Sequence, residues 1–294
     1  MKIVVTGASG LLGRAVVKAA NAKGWTVVGL AFSRARHGLE KVDITNASQV
    51  RAVLEREQPD FVIHAAAERM PDRVENEYEK TRDLNVDASE SITLIAKSVG
   101  SRVIYISTDY VFDGANPPYT ADDTPQPLNK YGITKLDGEN AVRNADPESL
   151  VLRVPILYGP VERLDESAVT CLLRLVQATA TPASVSHYEK RYPEHVSAIS
   201  DILCQLCEKV KQEPSISGIF QWSGLEQFTK YDMCVSMAEA LGLSHSHITA
   251  DSQPSSGAPR PYDSRMDNSK LEQLGVTSHV TFKDGIKQCL QKWL

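Results

Sequence analysis

Tyr131-Gly-Ile-Thr-Lys135 sets a phenol and an ammonium four residues apart, which on a helix is one face. A lysine ammonium beside a tyrosine hydroxyl favours the phenolate and lowers its pKa. The tyrosine then becomes a usable proton donor and acceptor near neutrality. Upstream, Ser107-Thr108-Asp109-Tyr110-Val111-Phe112-Asp113-Gly114 leaves a strand. Thr108 is thereby placed to hydrogen-bond a substrate carbonyl at a strand end, where ligands of open α/β sheets bind. A bare YxxxK is common and mostly structural, and its weight here comes from the segments around it.

The second chemical feature is a glycine turn, Thr6-Gly7-Ala8-Ser9-Gly10-Leu11-Leu12-Gly13, between a strand and a helix. Glycines at this spacing allow a tight turn, close approach of backbone to a pyrophosphate and close helix–strand packing. The N–H groups from Ser9 to Leu12 then face phosphate, helped by the helix dipole. The bland account is an ordinary helix-opening turn; the strand before it and the helix after it favour a dinucleotide. An NAD site usually has an acid at the end of the second strand. Here the sequence reads Ala31-Phe32-Ser33-Arg34-Ala35-Arg36, with two arginines and no acid. Guanidinium groups suit a 2′-phosphate, which favours NADP over the alternative of two solvated surface arginines. Asp43-Ile44 falls at the end of the next short strand and borders the adenine, its carboxylate accepting from an exocyclic amine.

These residues need a frame. Apolar, Val- and Ile-rich runs at 2–6, 26–31, 61–65, 102–107 and 150–154 predict strands. Between them, 11–23, 47–57, 75–99 and 130–144 carry apolar residues at three- and four-residue spacing and predict helices, with Thr45 or Asn46 capping the second. The alternation predicts an α/β fold, a doubly wound parallel sheet with helices on both faces. Beyond Pro155 the rhythm breaks: helices are expected at 166–178, 196–211, 230–241, 268–274 and 283–293, with an isolated strand at 219–222 and a Ser/Pro/Gly-rich loop at 251–261. Residues 1–157, completed by 195–223, are expected to form the dinucleotide-binding domain. Residues 158–194 and 224–294 form a smaller, partly interwoven lobe.

Composition excludes other classes. The 294 residues are 42% hydrophobic and 23% charged, an ordinary globular balance. A formal net charge of -5 argues against nucleic acid or an anionic membrane as partner. No 18-residue apolar stretch and no secretory h-region is visible, so a cytoplasmic protein is expected. Cys204-Gln-Leu-Cys207 lies in a helical pattern without a second Cys or His pair, so the five cysteines read as core packing and no metal site is expected. His64 and Trp222 read as packed core. His187 and His195 suit a substrate cleft and a surface loop equally. No GxSxG, Walker or HExxH motif appears.

Together the motifs resemble the extended short-chain dehydrogenase/reductases over nearly the whole chain. Tyr105–Gly114, Pro125-Gln-Pro-Leu-Asn129, Tyr131–Glu139 and Arg153-Val-Pro-Ile-Leu-Tyr-Gly159 resemble two branches: the dTDP-4-dehydrorhamnose reductases and the regulatory beta subunits of methionine adenosyltransferase. The second is favoured by Gly10-Leu-Leu-Gly-Arg-Ala-Val16, Ala65-Ala-Ala-Glu-Arg-Met-Pro-Asp72, Glu166-Ser-Ala-Val-Thr170, Arg191-Tyr-Pro-Glu-His195 and Trp222-Ser-Gly-Leu-Glu-Gln-Phe-Thr-Lys-Tyr231. That resemblance implies an NADP-binding subunit that modulates S-adenosylmethionine synthesis, partnered with the catalytic subunit of methionine adenosyltransferase. It puts Gly7, Ser9, Gly10, Leu11, Leu12 and Gly13 at the phosphates and Ser33, Arg34 and Ala35 at the 2′-phosphate. Asp43 and Ile44 fall at the adenine, and Ala65, Arg69, Tyr131, Lys135 and Leu157 along the ribose and nicotinamide side. Ala65 replaces a Cys of vertebrate relatives, harmless for a backbone contact. The sequence ends at Lys292-Trp293-Leu294, where beta subunits usually continue into a basic, aromatic tail, so a weakened partner contact is expected. The other branch implies an active NADPH-dependent reductase of a 4-keto-6-deoxy sugar nucleotide. Tyr131 would there give the proton, Lys135 shift its pKa and Thr108 hold the carbonyl.

Overall fold

A computed structural model describes residues 1–35 and 38–294. Strands β1 (Lys2–Thr6), β2 (Thr26–Ala31), β3 (Glu40–Lys41), β4 (Phe61–His64), β5 (Arg102–Thr108) and β6 (Leu150–Val154) precede Pro155. After it come β7 (Leu157–Tyr158), β8 (Ala183–Ser186), β9 (Glu194–His195), β10 (Gly218–Gln221) and β11 (Ile248–Asp251). Among the described residues, seven strands form one sheet in the order β10-β6-β5-β4-β1-β2-β3, with every pairing parallel. Helices α1 (Leu11–Ala22), α2 (Ala47–Glu57), α3 (Pro71–Asn76), α4 (Tyr78–Arg82), α5 (Ala88–Ser98) and α6 (Lys130–Ala145) lie between these strands. Helices α7 (Leu173–Gln177), α8 (Val196–Gln212), α9 (Lys230–Leu241), α10 (Ser269–Gln273) and α11 (Phe282–Leu290) follow.

The parallel sheet follows from the strand sequences. Phe61-Val-Ile-His64 and Leu150-Val-Leu-Arg-Val154 are buried at every position, as strands covered on both faces must be. The two-residue period then sorts the side chains. Ile3 and Val5 join Val16 of α1 and Ile199 and Leu203 of α8 on one face. Val4 joins Val50 and Leu54 of α2, Ile92 of α5 and Val142 of α6 on the other. Each such buried aliphatic contributes about 1.5–3 kcal/mol relative to exposure. Because β2 pairs on one side of β1 and β4 on the other, the chain reverses direction there and leaves a crevice beyond the strand ends. A separate apolar cluster, including Tyr158, Leu173, Met233, Met237, Phe282 and Ile286, holds α7, α9 and α11 together.

Several local expectations hold. Asn46 caps α2 by accepting from the Ser48 and Gln49 amides. Cys204 and Cys207 are buried on α8, and His64 and Trp222 are core residues. No helix among the described residues is long and apolar enough to cross a membrane.

Others need correction. The single helix expected at 75–99 is broken into α3, α4, a π-helical turn at Asp83–Asp87 and α5. The turn places the Asn85 side chain so that it accepts from the Glu68 amide and donates to the Glu68 carbonyl and Thr134 hydroxyl. The helix expected at 166–178 is two 3-10 turns, Leu164–Glu166 and Thr170–Leu172, before the short α7. Here Ser167 Oγ donates to the Leu157 carbonyl and Thr170 Oγ1 to that of Leu164, and such bonds compete with the helical ladder. The strand expected alone at 219–222 is not isolated: β10 pairs with β6 at the sheet edge.

Candidate functional site

A cavity of about 520 Å³ opens at the crevice beyond β1 and β4. It is lined by Gly7, Ser9, Gly10, Leu11, Leu12 and Gly13 of the glycine turn, and by Ser33 and Arg34 after β2. Asp43, Ile44, Ala65, Arg69, Thr108, Tyr131, Lys135 and Leu157 complete the predicted residues found there. Ala35 is not among the lining residues. Arg36, the second arginine of the sequence reading, lies outside the described residues.

At one end the glycine turn is sterically committed. Gly7 has φ +65°, and a Cβ there would stand 2.9 Å from the Ala66 backbone. A Cβ on Gly13 would stand 2.2 Å from the Gly7 carbonyl oxygen, so only glycine lets α1 start this close to β1. Gly10 precedes α1 without a side-chain cap, and the first turn of α1 carries no acid. A helix N-terminus left open in this way is suited to an anion. Asp43 Oδ1 accepts from the amide and hydroxyl of Thr45, which fixes that carboxylate at the cavity wall. This cradle, with an arginine at its far side, fits a dinucleotide.

Arg34 has a partner that its sequence neighbourhood does not suggest. Its Nη1 lies 2.5 Å from Oε1 of Glu166 and 4.0 Å from Oε2 of Glu162. The other oxygen of Glu166 accepts from Arg14 on α1 at 2.6 Å. The Glu166 side chain is 5% exposed, and its arginine partners outweigh burial and hold the carboxyl below its ordinary range.

At the other end the Thr–Tyr–Lys trio is assembled, but not with the couplings expected. Thr108 caps the turn Asp109–Val111, accepting from the Tyr110 amide. Tyr131, at the start of α6, packs edge-on against Tyr110, with the ring centroids 5.8 Å apart. Lys135 shares the helix face, yet its Nζ donates to the hydroxyl of Tyr105 at 2.7 Å, not to Tyr131. The expected lowering of the Tyr131 pKa is therefore corrected. Burial raises it well above the ordinary tyrosine value, and a hydrogen bond from Thr108 only partly offsets this. Burial also pushes the Lys135 ammonium down to about 7, against the opposing charge of Glu139.

The redirection has a packing cause. A Cβ on Gly138 would lie 2.2 Å from the Tyr105 hydroxyl, so the absence of a side chain there lets that hydroxyl reach under α6. Helix α6 is anchored by Glu139, which accepts from Nε and Nη2 of Arg153 on β6 and from Ser107. Both partners of this ion pair are at most 2% exposed. Under the same sheet end, His64 bonds Thr6 at 2.7 Å and Ser89 at 2.9 Å, and burial pushes it down to about 3. His187 bonds Thr229, and buried His195 caps α8; neither is among the residues lining this cavity.

Glu166 and Tyr105 are the residues that sequence reasoning missed. Glu166 follows Arg34 by 132 positions and no local spacing marks it. Tyr105 reads as one more buried strand residue, although a glycine one turn past YxxxK is a signal that something must fit beneath the helix.

A parallel doubly wound sheet with a glycine turn at its crevice defines the dinucleotide-binding class of α/β proteins. Within that class, the whole chain, residues 1–294, matches the RmlD substrate-binding domain family, and the protein belongs to it. It is similar to methionine adenosyltransferase 2 subunit beta of Pongo abelii, 47% identical over 294 residues, covering 100% of this chain and 88% of that protein. Among solved structures, a dTDP-4-dehydrorhamnose reductase from Clostridium acetobutylicum superimposes with a TM-score of 0.84 at 28% identity, covering 100% of this chain and 99% of that one. A dTDP-4-dehydrorhamnose reductase from Bacillus anthracis, in complex with NADP, gives 0.86 at 23% identity over 99% of each chain.

Proposed function

We propose that this protein is an NADP-binding regulatory beta subunit of methionine adenosyltransferase, acting in the cytoplasm with the catalytic subunit as partner and modulating S-adenosylmethionine synthesis. The observation that carries the reading is 47% identity over all 294 residues with a protein of that name, against 28% with a reductase of the same fold. The site adds support. Lys135 Nζ donates to the Tyr105 hydroxyl, so the lysine–tyrosine coupling that would lower the Tyr131 pKa is directed elsewhere.

When bound, the dinucleotide supplies a hydride-carrying nicotinamide. The chain's residues hold it: the open amides of α1 take the phosphates, and Arg34 with Ser33 takes the 2′-phosphate. Asp43 and Ile44 border the adenine, while Ala65, Arg69, Leu157, Tyr131 and Lys135 line the nicotinamide side. In this reading residues 1–157 with 195–223 form the lobe that holds the cofactor. Arg34→Ala then weakens NADP by roughly 1–3 kcal/mol, the range for a hydrogen bond to a charged group, and leaves NAD unchanged. Calorimetry with both dinucleotides checks this, and equal losses contradict the 2′-phosphate role.

A reductase reading is favoured by one observation, the presence of Thr108, Tyr131 and Lys135 in a single cavity. NADPH oxidation with a 4-keto-6-deoxy sugar nucleotide separates the two. The regulatory reading predicts negligible turnover by the wild type. Robust turnover that Tyr131→Phe abolishes establishes the reductase instead.

A further inference from the structure

Residues 160–168 form a strap across one side of the cavity, with Glu166, Ser167 and Ala168 in its wall. Arginines from separate parts of the dinucleotide-binding fold hold it. Arg14 of α1 donates to the Pro160 carbonyl and to Glu166. Arg34, after β2, donates to Glu166, and Arg69, after β4, donates to the Asp165 carbonyl. Oε2 of Glu166 also accepts from the Glu162 amide, which folds the strap onto its own carboxylate.

The sequence after β2 offers no acid, but the fold brings one there from the strap. We infer that Glu166 is the residue that sets dinucleotide preference, acting as a resident counter-ion on Arg34 that a 2′-phosphate must displace. This rests on the nicotinamide-cofactor reading above. Arg34 has a single guanidinium, and Glu166 Oε1 already takes its Nη1 at 2.5 Å from a nearly dry position. A phosphate arriving at Arg34 meets the Glu166 and Glu162 carboxylates within 4.0 Å of the same nitrogen. Like charges at that separation cannot share one cation without cost. NAD brings no such charge and leaves the Arg34–Glu166 pair intact. Exchange of partners therefore frees the strap from one of its anchoring arginines when NADP binds and not when NAD binds. The strap reports the 2′-phosphate to the lobe that carries it.

The test uses the full chain, NADP and NAD, with two readouts. Glu166→Gln keeps the shape and a hydrogen-bond acceptor but removes the charge. It is expected to tighten NADP roughly threefold to tenfold, the span of a charge pair with one partner buried and the other partly exposed, and to leave NAD within about twofold. In the wild type, amide exchange at 162–168 is expected to rise with saturating NADP and to stay unchanged with NAD. A Glu166→Gln protein that binds NADP no tighter, with strap exchange indifferent to which dinucleotide is bound, overturns the inference while leaving NADP binding itself standing. Failure of the wild type to bind either dinucleotide overturns this inference and the cofactor reading together.

Discussion

The two ends of the cavity are built by different means. The glycine-turn end is mostly local: Gly7, Gly10 and Gly13 lie within seven residues, and Gly10 and Gly13 are both constrained by the Gly7 carbonyl, while Gly7 alone meets a distant segment, the Ala66 backbone. The Tyr–Lys end is tertiary. Tyr131 and Lys135 are neighbours on α6, but the atom that engages the lysine belongs to Tyr105 on β5, thirty residues away. The first end needs only β1, α1 and the short segment after β4 to come together. At the second the motif is present while its chemistry is decided by what packs beneath it. The same contrast explains how a reductase-like trio can persist in a protein whose sequence sits with regulatory subunits.

If tertiary anchors govern the Tyr–Lys end, the largest effect comes from the buried pair that fixes α6. Arg153→Leu strands the Glu139 carboxylate and is expected to lower stability by about 3–5 kcal/mol, read from urea unfolding. Adding Glu139→Leu restores most of that loss, because an apolar pair of similar volume is often neutral. Failure of the double variant to recover would assign the loss to packing and not to charge.

The matching break at the local end is Gly13→Ala. Overpacking the turn costs roughly 1–3 kcal/mol and is expected to remove dinucleotide binding altogether, since α1 must back away from the turn. Thermal unfolding with and without NADP checks both parts: a lower midpoint, and no ligand-induced rise. A variant that keeps the full NADP-induced rise would show that the cradle tolerates a wider turn.

The last break sharpens the comparison through pH. Lys135 titrates near 7 when folded and near 10.5 in an unfolded chain. Between those values the unfolded chain holds the extra proton, so stability gained at this residue rises with pH across that window. Below about pH 7 the full cost of burying the ammonium is present. Lys135→Met is therefore expected to stabilise the protein most below pH 7, with the gain fading towards pH 10.5. A gain independent of pH would mean that the ammonium is not desolvated at Tyr105.

The legible and illegible parts divide along the same line. Strands at Lys2–Thr6, Thr26–Ala31 and Leu150–Val154 and helices at Ala47–Glu57 and Lys230–Leu241 were readable to the residue, because their periodicity and caps are local. The break within 75–99 was not. Its apolar spacing is helical throughout, and the π-helical turn is set by Asn85 reaching Glu68 and Thr134. Nor was the loss of helix at 166–170, where Ser167 and Thr170 turn to carbonyls at Leu157 and Leu164. In the cavity, the glycine turn and the YxxxK pair could be placed from spacing. The partners of Arg34 and Lys135 could not, because each lies on another element and only the fold brings it there.

Direct binding to the catalytic subunit of methionine adenosyltransferase tests the regulatory account most closely. With that subunit immobilised and NADP present, the account predicts saturable binding of this chain with measurable dissociation. It also predicts that Tyr131→Phe leaves the binding unchanged, since the hydroxyl is not needed for chemistry. No binding with this chain at concentrations on the order of 10 µM, the scale of a weak but specific complex, together with rapid NADPH oxidation on a keto-sugar nucleotide, would contradict it.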